Sequence, residues 1–167
     1  MRREVIRAAV CVVAAGGALA AGYAGTAQAH TDGLDDVRAA TAAFHATAQA
    51  EAAGYGDPGL PCFDSPSTNQ GMGFHLVNGD LLNDGGALSK TQPEALVYEM
   101  HDGTLKLVAV EYIVKMSDSA EAPHFLGQTM IANNDLQLWT LHAWIWRKNP
   151  QSLFATYNAN VPLCPGS

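Results

Sequence analysis

Asp102-Gly103 stands between two strand-like runs, Ala95 to Met100 and Leu105 to Met116. Such a dipeptide supplies two adjacent residues that tolerate positive φ. A two-residue turn matched to the twist of antiparallel strands needs both, so the pattern predicts a β-hairpin. In that register His101 pairs with Thr104, and Glu99 faces Lys106 as a cross-strand ion pair suited to solvent. Leu96, Tyr98 and Met100 then lie on the other face, against Ala109, Leu107 and Leu105. Continuing this face by the strand period of two brings in Glu111 and Ile113. Glu111 is thereby expected on the core face, where a carboxylate must be paired, protonated or bound to a cation.

The remaining elements fit around this hairpin. Leu34 to Ala53 is Ala-rich, with Leu34, Val37, Thr41, Phe44 and Ala48 on one modest apolar stripe, and reads as one helix ended by Gly54. A loop rich in Gly, Pro, Asp and Ser runs to Gly71. Strands are expected over Met72 to Val77 and Leu136 to Trp146, the latter broken by Asn149-Pro150. One helix followed by antiparallel strands is an α+β pattern: an N-terminal helix packed on a sheet that either stays open or curls into a partial barrel.

The chain begins with Arg2, Arg3 and Arg7, an apolar stretch from Ala8 to Ala24 and the small-residue pattern Ala27-Gln28-Ala29. Those are the parts of a cleavable export signal over residues 1–29. A single secreted domain over residues 30–167 is expected to follow, with no membrane span in it. Two of the three cysteines, Cys62 and Cys164, fall in that domain and are expected to form one disulfide in an oxidising compartment. The 48% of hydrophobic residues suffices for a packed core. A low content of charged residues, 15%, and a formal net charge of −7 argue against a nucleic-acid binder, which needs a basic face to neutralise phosphates. No Gly-x-Ser-x-Gly elbow, phosphate-binding loop or cysteine nucleophile is present to carry other chemistry.

Three residues interrupt apolar strand surfaces. His75 lies between Phe74 and Leu76, Glu111 lies in the second strand of the hairpin, and His142 alternates with Leu138, Thr140, Trp144 and Trp146. Two imidazoles and a carboxylate on rigid strands form a recognised kind of site for a divalent transition metal ion. Glu51, near the helix's apolar stripe in a last turn that disfavours negative charge, is the expected fourth ligand. His45 and His124 read as surface residues. In the alternative reading, Trp139, Trp144, Trp146, Tyr98 and Phe74 line a cavity for a small apolar ligand in a non-catalytic binding protein. A purely structural domain with a self-satisfied polar core is a third reading.

Gly71-Met72-Gly73-Phe74-His75-Leu76-Val77-Asn78, Val108-Ala109-Val110-Glu111-Tyr112 and Leu141-His142-Ala143-Trp144-Ile145-Trp146 occur in that order. Together with Asn149-Pro150 and Ala50-Glu51-Ala52-Ala53-Gly54-Tyr55, they make the chain resemble a group of small exported bacterial hypothetical proteins of actinobacterial type. The resemblance implies export and a single domain, and no reaction.

Overall fold

The computed structural model of the protein describes residues 28–166, with side chains over residues 34–166. The expected export signal lies almost wholly outside them. Among the described residues no helix is long and apolar enough to cross a membrane.

The architecture is α+β. Helix α1 (Gln28–Thr41) leads through a 3-10 turn (Ala42–His45) into α2 (Thr47–Ala52). Short strands β1 (Tyr55–Gly56) and β2 (Phe63–Asp64) precede β3 (Gly71–Asn78) and the one-turn α3 (Gly79–Leu82). Then come β4 (Ala95–His101), β5 (Thr104–Lys115), β6 (His124–Phe125), β7 (Gln128–Thr129), β8 (Ile131–Asn133) and β9 (Leu138–Ala143). The main sheet is antiparallel and open, in the order β1-β3-β4-β5-β9-β8, with β2 also paired to β3; β6 and β7 form a separate ribbon.

The helix expected over Leu34 to Ala53 is interrupted rather than continuous. At the break the Phe44 carbonyl accepts a hydrogen bond from the Tyr98 hydroxyl at 2.7 Å. Thr41 Oγ1 donates back to the Val37 carbonyl, a bond that competes with regular helix geometry. Tertiary hydrogen bonding therefore overrides the propensity of an Ala-rich run. Val37 and Ala50 join Leu96, Tyr98, Leu107, Val110, Tyr112, Val114 and Leu141 in the larger of two apolar clusters.

The hairpin tip forms at Asp102-Gly103, with φ of 50° and 75°. Pairing runs as expected from His101–Thr104 to Tyr98–Leu107 and then shifts by one residue, so that Val97 faces Ala109 and Ala95 faces Glu111. Val108 is the extra residue of a β-bulge. Its carbonyl accepts from both Trp146 N (3.1 Å) and Arg147 N (3.0 Å), which docks the chain segment leaving β9. The slip exchanges the faces of everything beyond it. Val110, Tyr112 and Val114 join the larger cluster, while Ala109, Glu111 and Ile113 turn to the opposite side. The expected placement of Glu111 beside Leu105 and Leu107 is thus corrected: it is buried, but on the other face.

That other face is buried because the C-terminal segment crosses it. Val161 packs with Val97, Val108, Ala109 and Trp144. Trp144 Nε1 donates to the Ala155 carbonyl at 2.6 Å, and Asn158 N donates to the Gly71 carbonyl at 2.9 Å. Gly71 admits this crossing, since a Cβ there would come within 2.5 Å of the Pro162 carbonyl oxygen. Gly73, at φ +106°, leaves no room for a Cβ, which would overlap the Tyr98 carbonyl oxygen. The segment ends in the expected disulfide between Cys62 and Cys164.

Candidate metal centre

His75, Glu111 and His142 come from three different strands, β3, β5 and β9. Glu111 sits directly opposite His142 across one strand pair and opposite Ala95 across the other. His75 is two strands away, paired with Val97 on β4. Its ring can reach Glu111 because Ala95 places nothing beyond a methyl group between them. Had the hairpin kept its initial register, Glu111 would point to the helix side and the three would not meet.

His75 Nε2 lies 3.3 Å from Glu111 Oε2, and His142 Nε2 lies 3.5 Å from Glu111 Oε1. One ligand atom from each of the three residues falls within 4.8 Å of the others. The side chains are 7%, 8% and 3% exposed, respectively, for His75, Glu111 and His142. The two imidazole rings meet edge-on at 5.8 Å between centroids. Phe63 packs its ring edge-on to His75 at 5.7 Å, and Trp144 stacks on His142 at 5.8 Å. The aromatic neighbours fix both imidazole planes and exclude bulk water.

The buried setting decides the protonation states. Desolvation lowers both histidine pKa values, His142 further because His75 stands beside it, so both rings are neutral at ordinary pH. Desolvation raises Glu111, against a lowering by the Thr140 hydroxyl and with a further raising by Glu94. Without a cation the site therefore favours three uncharged groups. Among the described residues His142 Nε2 is buried without a hydrogen-bond partner, an arrangement that costs about 1–3 kcal/mol, while at His75 the Gly73 backbone offsets part of the desolvation.

Glu51 is not part of this group. It is exposed on α2, whose Ala50 packs in the cluster on the opposite side of the sheet. The heptad offset from Phe44 that placed it near the helix's inner stripe does not survive the break after Thr41. His45 and His124 are exposed, as expected. The aromatic residues considered as one cavity wall are divided by the sheet: Tyr98, Trp139 and Trp146 belong with the helices, and Trp144 with the opposite cluster.

Two buried acids escaped the sequence reading. Glu99 does stand opposite Lys106, but it is only 3% exposed and its partner is Arg147, which donates through Nε and Nη2 to the two carboxylate oxygens. The expected exposed Glu99–Lys106 pair is thereby corrected. Glu94, 2% exposed, accepts the Ile113 backbone N–H at 2.9 Å. It substitutes for the strand partner that β4, beginning at Ala95, no longer supplies. Alternation could not reveal either acid, because both owe their burial to segments that pack from outside the hairpin.

Desolvation pushes the Glu94 pKa up from 4.5 to about 7, against the Ile113 hydrogen bond. A folded-state pKa raised above its unfolded value contributes stability that is present below about pH 4.5 and lost as pH rises to about 7. Glu94→Gln keeps an oxygen for Ile113 and cannot ionise. It should match the parent at pH 4 and exceed it by about 3 kcal/mol at pH 8, measured by urea unfolding with a chelator present. A difference independent of pH would show that Glu94 does not titrate across this window.

Comparison of the chain with family models, with curated proteins and with solved structures finds no match in any of the three.

Proposed function

We propose that the protein is a small secreted metal-binding protein in which His75, Glu111 and His142 hold one divalent transition metal ion. The observation that carries the reading is His142 Nε2, buried, without a hydrogen-bond partner among the described residues and 3.5 Å from a Glu111 oxygen. The separations of 3.3 and 3.5 Å, one to each Glu111 oxygen, are those of neighbouring ligand atoms around an ion held at about 2.1 Å, and the group, which spans up to 4.8 Å, would draw in slightly on binding it. A cation would complement the unpartnered nitrogen and offset the desolvation of an ionised Glu111. Neutral imidazoles and one carboxylate suit zinc, copper, iron or manganese better than calcium or magnesium, which prefer oxygen donors.

Three protein ligands leave at least one coordination position open. With the ligand side chains less than a tenth exposed, that position suits water, oxygen or peroxide rather than a bulky substrate. The Cys62–Cys164 disulfide supports the secreted setting, since such bonds persist in oxidising compartments.

Protein purified without an affinity tag, loaded separately with copper, zinc, iron or manganese and dialysed, should retain one equivalent of at least one metal by elemental analysis. His142→Ala should lose that equivalent while keeping the parent's circular dichroism. If the parent retains none of the four, the three residues form a polar core cluster and the reading fails.

A further inference from the structure

The exchange of partners at Glu99 has a consequence at the surface. Lys106 stands opposite Glu99 in the hairpin, but that carboxylate is held by Arg147. Lys106 is exposed and makes no ion pair among the described residues. Arg147 uses Nε and Nη2 on Glu99, its Nη1 has no hydrogen-bond partner among the described residues, and its side chain is 36% exposed. Both cations line an open cleft of about 330 Å³, together with His45, Glu99, His101 and Trp146. Counted with Glu99, the cleft's charged residues leave one net positive charge, on the side where Lys106 and the outer guanidinium nitrogen offer their donors.

The cleft is built rather than incidental. Glu99 is buried, and its two-point grip fixes the guanidinium plane, so Arg147 meets a ligand with little further loss of freedom. Trp146 is fixed by its own bond from Nε1 to Thr41 Oγ1 at 3.3 Å and by the His45 ring packed edge-on at 4.5 Å. Glu99, the acid that lines the cleft, is engaged by Arg147, and the exposed Asp102 nearby stands 3.3 Å from His101. Lys106 Nζ with three N–H donors and Arg147 Nη1 with two offer more than the four lone pairs of a carboxylate can use. A terminal phosphate, with three oxygens and up to two negative charges, fits them better. The volume exceeds that of a bare phosphate and falls within the range of small-molecule pockets.

The geometry points to a binding site for a small organic phosphate, the phosphate on Lys106 and Arg147 and the organic group against Trp146 and His45. The Glu99–Lys106 pair lies four residues along β4 from the Ala95–Glu111 pair, about 13 Å at strand spacing, so this site stands or falls independently of the metal centre.

Phenyl phosphate serves as the probe, titrated into the full folded protein with a chelator present and followed by calorimetry. Saturable one-to-one binding is expected, with a dissociation constant of about 1 mM or lower. Benzoate and inorganic phosphate should each bind at least about tenfold more weakly, lacking respectively the third oxygen and the ring. Lys106→Gln should weaken phenyl phosphate by at least about tenfold with an unchanged thermal midpoint, because Lys106 makes no ion pair among the described residues and the neutral side chain sets no like charge opposite Glu99. His45→Ala, at an exposed position, should weaken phenyl phosphate while leaving the weak binding of inorganic phosphate unchanged. Absence of saturation at about 10 mM, or equal affinity in parent and Lys106→Gln, would overturn the site. Equal binding of benzoate would overturn its assignment to phosphates, and equal binding of inorganic phosphate its assignment to organic ones.

Discussion

Replacing both Cys62 and Cys164 with serine is expected to lower the free energy of unfolding by about 3–5 kcal/mol. The crosslink spans 102 positions, and a loop of that length removes a large share of the unfolded chain's freedom. Its position in the fold adds to the effect. The bond fastens the end of the segment that carries Val161 and crosses Gly71, and this segment buries the strand face on which His75, Glu111 and His142 meet. The Asp64 carboxylate accepts the Cys164 backbone N–H at 3.0 and 3.1 Å, a second tether that should keep the native arrangement populated without the disulfide. Urea unfolding of the double variant beside the oxidised parent measures the difference. A loss below about 1 kcal/mol would mean that the Asp64 contacts and the Val161 packing hold the segment unaided.

The second large effect concerns Glu99. Glu99→Ala should cost about 3 kcal/mol, at the lower end for a broken buried ion pair because Arg147 keeps part of its side chain in water. Lys106→Ala, on the other side of the same cross-strand pair, should cost less than about 0.5 kcal/mol. Chemical denaturation of the two variants under one condition decides the matter. Equal and small effects would restore the solvent-facing Glu99–Lys106 pair and remove the buried anchor for Arg147. The contrast also tests the bulge, since Val108 gives its carbonyl to the backbone N–H groups of Trp146 and Arg147 and so sets where the guanidinium lies.

Local chemistry and strand period were enough to determine the hairpin tip, the strands around it, the α+β class and the disulfide pair. Asp102 and Gly103 fix the turn through their tolerance of positive φ, and the pairs nearest the turn follow from its length. His75, Glu111 and His142 were legible as candidates because a polar residue within an apolar strand is costly wherever the sheet is covered. The route to Glu111 nevertheless assumed unbroken alternation, and Leu107-Val108-Ala109-Val110 carries no polar marker that would locate a bulge. Glu111 is buried on either face, so the expectation of burial survived an error in its side. Its meeting with two histidines did not follow from alternation at all. That meeting depends on the Val108 bulge, which turns Glu111 toward the face of His75 and His142, and on Ala95, which leaves the space between strands open.

Glu51 shows the limit on the helical side. Its predicted inward position required a continuous helix, and the Tyr98 hydroxyl, reaching Phe44 from a residue 54 positions away, is part of what the break accommodates. Glu99 and Glu94 follow the same logic, since Arg147 and the Ile113 amide are distant in sequence from the acids they engage. Turn residues, strand period and cysteine count act over a few neighbours or through compartment chemistry, so the sequence alone determines what they control. Bulge position, helix interruption and the partner of each buried charge depend on hydrogen bonds and desolvation between segments far apart in the chain, and only the tertiary structure decided them.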